Sequence, residues 1–366
     1  MKITINREEL LPILQIVCGV VERRQTLPIL SNLLLTVSDK NLRLTATDME
    51  VELSAIIKKS FDTSGEATLP ARKLLDICRT LPENAVLDMD LGSDRAQVKS
   101  GKSRFTLSIL PAREYPLIEM NDVLAEFTTT QAKLKSLLDK TAFAMAQQDV
   151  RYYLNGLLLE LDGENIRAVA TDGHRLALCD ATNAVKLDQA SQIIIPRKGV
   201  LELTRLLKDE DDDVQIQISS NHIRITHNEL QFTSKLIDGK FPDYDRVIPE
   251  IGNYPVMADR ESLRQSLTRA SILSNEKYRG VRILLEKGKL KAIAHNPEQE
   301  EAEEEIDVEY QGNEMEIGFN VSYLLDALGI IKTDKVKITI NDPNSSCLIL
   351  PDDSEDTKYV VMPMRL

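Results

Sequence analysis

The segment Thr171-Asp-Gly-His174 sets a carboxylate and an imidazole within one short turn, a pairing that general acid–base catalysis uses. No serine or cysteine nucleophile lies beside it, and Asp-Gly reads as the centre of a tight turn. If Asp172 were catalytic, Asp172→Ala would abolish a chemical turnover; if the turn belongs to a binding surface, only affinity for a partner would fall. The histidines, His174, His222, His227 and His295, lack helical metal-ligand spacing. Cys18, Cys78, Cys179 and Cys347 stand far apart and form no CxxC pair, so they read as buried free thiols of a reducing cytoplasm rather than a disulfide framework or a zinc site. Neither a phosphate-cradling GxxxxGKS/T loop nor a GxGxxG fingerprint occurs, which argues against nucleotide chemistry. No enzyme, cofactor or metal is expected. A different chemistry is offered by Arg151-Tyr152-Tyr153, where two aromatic faces beside a guanidinium suit contact with a nucleic-acid strand. The bland alternative is an ordinary aromatic strand start.

The elements that would carry these residues recur. Three segments open with a polar cap and an amphipathic helix: Asn6-Arg-Glu-Glu-Leu10, Thr130-Gln-Ala-Lys-Leu134 and Asp259-Arg-Glu-Ser-Leu263. Asn6 with Glu9 resembles a capping box, while Pro12 should kink or tighten the first helix. Strands running into turns follow at Ala46-Thr-Asp48, Ala170-Thr-Asp172 and Ala294-His-Asn296, spaced by 124 residues both times. Second helices start near Leu69-Pro-Ala-Arg-Lys73, Ile195-Pro-Arg-Lys198 and Gly318-Phe-Asn-Val321. Aromatic strands close each third at Phe105, Phe232 and Tyr359, which lie 127 apart both times. Four features in one order at nearly one offset describe an internal repeat. Boundaries fall near residues 122 and 252, giving domains 1–122, 123–251 and 252–366 of an α+β class with two helices each. The expected helices are 6–21, 71–81, 130–147, 197–208, 259–273 and 320–332. In the third, Leu134, Leu137, Leu138, Thr141 and Met145 share a face.

Composition is that of a globular protein, with 42% hydrophobic and 28% charged residues. No apolar run reaches the ~20 residues of a spanning helix, and MKITINREELL lacks a signal-peptide layout. A cytoplasmic protein is expected. The net charge of −13 argues against nucleic acid if taken alone. Its distribution argues otherwise. The six expected helices hold 15 Lys and Arg against 8 Asp and Glu, so the acidity sits outside them. If the repeats close into a ring with helices inward, the hole is positive and the outside negative. No base-reading element is present, so DNA contact through such a hole would be independent of sequence.

The segments Gln148-Asp-Val-Arg-Tyr-Tyr-Leu-Asn-Gly156, Thr171-Asp-Gly-His-Arg-Leu176, Pro196-Arg-Lys-Gly199, Phe241-Pro-Asp-Tyr244, Asn296-Pro-Glu-Gln-Glu300 and Tyr359-Val-Val-Met-Pro-Met-Arg-Leu366 make the sequence similar to the bacterial DNA polymerase III beta subunit family, the sliding clamps. The likeness runs from residue 1 to 366. It implies three repeated DNA-clamp domains, each two helices on antiparallel sheets, in a head-to-tail homodimeric ring of six domains with helices lining the hole. It implies tethering of a replicative polymerase to duplex DNA, and further partners: the clamp loader and other polymerases or repair proteins. A cytoplasmic, nucleoid-associated location follows, with no membrane partner.

Three sites come with the resemblance. DNA contact falls to Arg24, Arg72, Lys73, Arg197, Lys198 and Arg205, with Gln148, Arg151, Tyr152 and Tyr153 from a loop. A groove for partner peptides falls to Leu154, Thr171, Gly173, His174, Arg175, Leu176, Pro242, Arg246, Val247, Tyr323, Ser346, Val360, Met362, Pro363 and Met364. Methionines suit a cleft that accepts several sequences. The dimer seam falls to Lys73, Lys102, Arg104, Phe105, Leu107, Ile272 and Leu273, facing Glu298, Glu300, Glu301 and Glu304. Lys102 stands where the family has an arginine, keeping charge and losing the bidentate fork. The acidic run would otherwise read as a solvated loop, and the apolar tail after Met362 is expected to be tied down rather than frayed. A rival reading, a scaffold that binds peptides but not DNA, shares the groove and differs in the hole. Retention on circular DNA with loss on linearisation would separate the two.

Overall fold

The computed structural model describes residues 1–22, 27–182 and 191–365. One order of elements runs through it three times. The first pass is β1 (Lys2–Asn6), α1 (Arg7–Val17), β2 (Asn32–Val37), β3 (Asn41–Thr47), β4 (Val51–Lys58), β5 (Gly65–Pro70), α2 (Ala71–Thr80), β6 (Val86–Leu91), β7 (Arg95–Ser100) and β8 (Ser103–Ser108). The second is β9 (Ala125–Thr130), α3 (Gln131–Thr141), β10 (Gly156–Asp162), β11 (Asn165–Thr171), β12 (Arg175–Thr182), β13 (Ser191–Pro196), α4 (Arg197–Leu206), β14 (Asp213–Ile218), β15 (His222–His227) and β16 (Leu230–Lys235). The third is β17 (Val256–Asp259), α5 (Arg260–Ile272), β18 (Gly280–Glu286), β19 (Lys289–His295), β20 (Glu301–Asp307), β21 (Met315–Asn320), α6 (Val321–Ile330), β22 (Lys335–Thr339), β23 (Cys347–Pro351) and β24 (Thr357–Val361).

The helices sit where the polar caps place them. Glu9 accepts from the Asn6 backbone N–H at 3.0 Å, and Asp259 accepts from Ser262 N–H at 2.7 Å, satisfying donors that a helix start leaves unpaired. Each helix is shorter than its sequence pattern. The third stops at Thr141, whose hydroxyl turns back onto the Leu137 carbonyl at 2.6 Å, and a 3₁₀ turn over Ala142–Ala144 follows. Met145 therefore lies beyond the helix whose face it was expected to extend. Pro12 sits on the exposed side of α1, and the helix runs through it from Arg7 to Val17. The charge bias survives the shortening: 13 Lys and Arg against 7 Asp and Glu lie within these helices. The acidic run is a loop only at its start; from Glu301 it continues as strand β20, Glu301–Asp307.

The chain forms two compact units, residues 1–134 with 198–236, and residues 135–197 with the chain from 237 onward. The first holds an eight-stranded antiparallel sheet ordered β5-β2-β3-β4-β16-β15-β14-β9, and the second one ordered β13-β10-β11-β12-β24-β23-β22-β17. Each is two four-stranded halves joined at its centre. Phe232 faces Leu53 across the first joint, and Tyr359 faces Ala177 across the second. Each unit also carries a four-stranded sheet, β1-β6-β7-β8 in the first and β20-β19-β18-β21 in the second.

All four cysteines are buried and free. Burial pushes the thiols of Cys18, Cys78 and Cys347 up to about 12, and that of Cys179 upward as well. A raised acid pKa stabilises the fold below the unfolded value of roughly 8.5, and that contribution fades as pH rises towards the folded value. At pH 8 a thiol reagent is expected to label none of the four in the native chain and all four after denaturation. Rapid native labelling of even one would contradict this burial.

Candidate functional site

The second unit builds its groove on the turn from β11 to β12. Asp172 Oδ1 accepts from the backbone N–H groups of His174 and Arg175 at 2.9 and 3.0 Å, and Oδ2 accepts from Arg175 Nε at 3.2 Å. Thr171 Oγ1 accepts from Gly173 N–H at 3.0 Å and donates to the Arg175 carbonyl at 2.6 Å. The carboxylate of the Asp-Gly-His segment is thus spent on shaping a turn, which removes the acid–base reading. Gly173 adopts φ +86°, and a Cβ there would meet the Arg151 guanidinium at 2.9 Å. Gly173→Ala is expected to cost about 1–2 kcal/mol and to displace Arg151, read as a lowered Tm and a weakened groove. An unchanged Tm would show that the turn relaxes freely.

Beside this turn lies a groove of about 170 Å³ walled by Leu154, Leu176, Pro242, Val247, Val360 and Met362, with Thr171, Gly173 and Arg175 at its polar rim. Leu154, Leu176 and Val360 belong to one buried cluster with Phe241 and Tyr244, so the floor is rigid core. The wall formed by the tail is pinned at two points. Met362 N–H donates to the His174 carbonyl at 2.9 Å, and Met364 N–H to the Gly318 carbonyl at 2.8 Å. Ser346 Oγ reaches Met362 Sδ at 3.0 Å. Arg175 is locked: it pairs with Asp326, donates to the Phe143 carbonyl at 2.9 Å, and lies over the Tyr323 and Phe143 rings at 4.7 and 5.2 Å. His174 stacks on Tyr323 with ring centroids 6.4 Å apart. The result is an apolar trough with a fixed cation at its rim, which suits a short segment bearing apolar side chains and a polar end.

Most expected groove residues converge here. Arg246 does not line the trough; its side chain is 84% exposed and pairs with Asp243 at 2.6 Å. Pro363 and Met364 are half-buried along the tail, and Met364 faces a separate cleft. Sequence reasoning missed Phe143 and Asp326, which position Arg175. Asp326 stands three residues after Tyr323 on α6, a spacing that shares a helix face and was a usable signal.

The expected DNA-contact residues are more committed than their exposure suggests. In the first unit Lys198 pairs with both Glu22 and Asp48, Arg205 with Glu202 at 2.7 Å, and Arg72 donates to the Val21 carbonyl at 2.5 Å. Lys73 is exposed on α2. In the second unit Arg197 donates to the Met145 carbonyl at 3.2 Å, and Arg151 grips Asp149 through two nitrogens. That pairing holds the Asp149 carboxyl down at about 2. Gln148 is exposed at φ +57°. Tyr152 is exposed and meets the half-buried Tyr153 edge to face at 5.7 Å. Arg24 lies outside the described residues.

The expected seam residues lie on two sheet edges. Arg104, Phe105 and Leu107 sit on β8, the last strand of its sheet, with Lys102 in the turn before it. Glu301 and Glu304 sit on β20, also a last strand, with Glu298 and Glu300 exposed in the turn leading to it. Ile272 is 73% exposed beside half-buried Leu273. Glu304 is held within its own chain by Arg269 at 2.6 Å, so its charge is already partly offset.

Three passes of one α+β unit, with an apolar groove whose turn residues are spent on structure, define a binding protein of the DNA-clamp class. Family models match along the chain: the N-terminal domain of the DNA polymerase III beta subunit over residues 1–119, the central domain over 128–243 and the C-terminal domain over 245–365. The beta sliding clamp of Pseudomonas aeruginosa is 55% identical over the whole of both chains, and that of Escherichia coli K12 is 51% identical over the whole of both. The crystal structure of the Pseudomonas aeruginosa sliding clamp bound to griselimycin superposes with a TM-score of 0.96, 55% identity and full coverage of both chains. The chain belongs to the bacterial DNA polymerase III beta subunit family. It is a non-catalytic sliding clamp, a processivity subunit of the DNA polymerase III type.

Proposed function

We propose that two copies of this chain close head to tail into a ring of six domains, 1–122, 123–251 and 252–366 of each, with helices facing duplex DNA. The groove in the second unit then tethers the replicative polymerase, the clamp loader and other polymerases or repair proteins by short peptides. The observation that carries the ring is an incomplete pattern. Both eight-stranded sheets join the third strand of one four-strand half to the last strand of another, β4 to β16 and β12 to β24. The two four-stranded sheets are the remaining halves, with β20 and β8 at their edges. An exposed edge is a template for pairing, and a heterologous pairing that closes makes a ring.

The repeat also supports a particular register. Gln231 faces Ser54, and Lys358 faces Leu178. Counting back 127 from Gln231 gives Arg104, and counting on 124 from Leu178 gives Ala302. One correction applies. Asp48 and Asp172 N–H bond to the carbonyl three residues on, but Asn296 N–H bonds four residues on, at Glu300. The extra residue in that turn moves the partner of Arg104 from Ala302 to Glu303. The same count sets Phe105 against Ala302 and Lys102 against Glu305. Two pairs of opposite charge then face each other across the joint, worth about 0.2–1 kcal/mol each, and apolar contact from Phe105, Ile272 and Leu273 supplies the rest.

Solution mass together with DNA topology tests the reading. The chain should run at about twice its 41.2 kDa, stay on circular DNA and leave once the circle is cut. A monomer, or equal retention on both forms of DNA, overturns it. The ion pairs on the helices refine the DNA contacts. Arg72→Ala or Lys73→Ala should each lower the salt slope of DNA binding by up to about one unit. Lys198→Ala should change it less, because Glu22 and Asp48 already offset that charge. An equal drop for Lys198→Ala would show that its carboxylates release it to phosphate.

A further inference from the structure

Each repeat has a slot against its first three-stranded run, and in the third repeat no aromatic residue of the tail, among the described residues, fills it. In the first repeat the segment after β8 folds back and inserts Tyr115. Its hydroxyl accepts from Thr47 N–H and lies at 3.2 Å from the carbonyls of Asn32 and Thr45. Leu30, Asn32, Thr45 and Thr47 are all buried. Counting on 124 residues gives Leu154, Gly156, Val169 and Thr171, again buried. There the segment after β16 supplies Phe241 and Tyr244, which join Leu154 and Val169 in one apolar cluster.

A further 124 residues give Tyr278, Gly280, Ile293 and His295. Here the pattern breaks. Tyr278 is 56% exposed where Leu30 and Leu154 are 2% and 1%, and His295 is exposed. These four residues line a cleft of about 420 Å³ closed on one side by Met364 and Arg365. The tail follows the same path as the segment after β16: Met364 N–H bonds to the Gly318 carbonyl as Ile237 N–H bonds to that of Ile194. No aromatic residue among the described residues enters the cleft from the tail.

We propose that this cleft is a second docking site, shaped for an extended segment of a partner protein that carries an aromatic residue directly before proline. The chain itself specifies that chemistry, since Tyr115-Pro116 and Phe241-Pro242 serve the two equivalent slots. Charge does not choose the occupant, because basic Arg365 lines the cleft while basic Lys277 and acidic Glu298 and Glu300 lie near its lining residues in sequence. Aromatic burial does, through large area and a hydroxyl or ring edge that finds a partner. Met362 walls the groove, and Met364 and Arg365 wall the cleft, so a partner seated in the groove reaches the cleft with its flanking residues. That last step rests on the groove reading above; the slot does not.

The probe is a synthetic octapeptide with the sequence of residues 112–119, Ala-Arg-Glu-Tyr-Pro-Leu-Ile-Glu, titrated into the whole chain with methyl-labelled Ile, Leu, Val and Met. The peptide should bind at least about tenfold tighter than its form with Tyr115→Ala, and should shift the methyls of Ile293 and Met364 while leaving those of Leu154 and Val247. His295→Trp, at an exposed position, should weaken it by at least about tenfold with the solution mass unchanged. Met362→Glu, which disables the groove, should leave it unchanged. Equal affinity of the two peptides, shifts at Leu154 and Val247 instead, or loss of binding in Met362→Glu would each overturn the proposal, as would a cleft that takes no peptide.

Discussion

Cysteines placed at Arg104 and Glu303 will join two copies of the chain under mild oxidation into a covalently closed dimer that stays on circular DNA through high salt. The expectation follows from the two joints inside the chain. Directly opposed antiparallel residues have Cα atoms roughly 4.5–5.5 Å apart, inside the range a disulfide spans. The native cysteines are buried, so they do not compete. Arg104→Cys with Glu301→Cys is the control. Those positions are diagonal in the derived register, about 7–8 Å apart at best, and should cross-link poorly. Equal yields from both pairs would show that the strands meet in another register. Monomers from both would show that β8 and β20 do not meet. The uncrosslinked seam should fail in a complementary way. Ile272 is exposed in the single chain, so Ile272→Arg costs the fold little but puts a charge into the joint. The dimer constant should weaken by at least about tenfold, the effect of roughly 1.4 kcal/mol.

How far the sequence carried this picture can be judged from particular residues. Phe105, Phe232 and Tyr359 disclosed the repeat because each closing strand needs one large side chain at the same position. The caps at Asn6 and Asp259 located helix starts because they satisfy a fixed need. Helix ends were less legible. α3 ends at Thr141, where the chain turns into a 3₁₀ segment, an end that no periodicity reveals. The sheets were legible only as strands: which edges join depends on pairing between residues over a hundred positions apart, such as Tyr359 with Ala177. Ion pairs were least legible. Lys198 reads as a phosphate contact until Glu22 and Asp48 are seen around it, and Glu304 reads as a seam charge until Arg269 is found on it. Charge patterning counts charges but does not say which are already paired.

Met362→Glu will weaken binding of a groove peptide by about 100-fold or more while the dimer and its retention on circular DNA stay as they were. Met362 is the one wall of the trough supplied by the tail, and it lies against Ser346 with its backbone pinned to His174. Its side chain is half-buried, so a glutamate there is tolerated by the fold while the groove is empty. A bound peptide must then bury that carboxylate against Leu176, Val247 and Val360, at a cost of roughly 3 kcal/mol, or about 100-fold in affinity. Met362→Leu is the companion variant. It keeps the volume and apolar character, loses the pliancy of methionine, and should hold binding within about tenfold. Unchanged peptide affinity in Met362→Glu would place the peptide elsewhere, and loss of the dimer would mean that the tail also supports the seam. The separation of these readouts is what the fold demands: the groove floor is the cluster of Leu154, Leu176 and Val360 in one unit, whereas the proposed joint uses sheet edges that this cluster does not include.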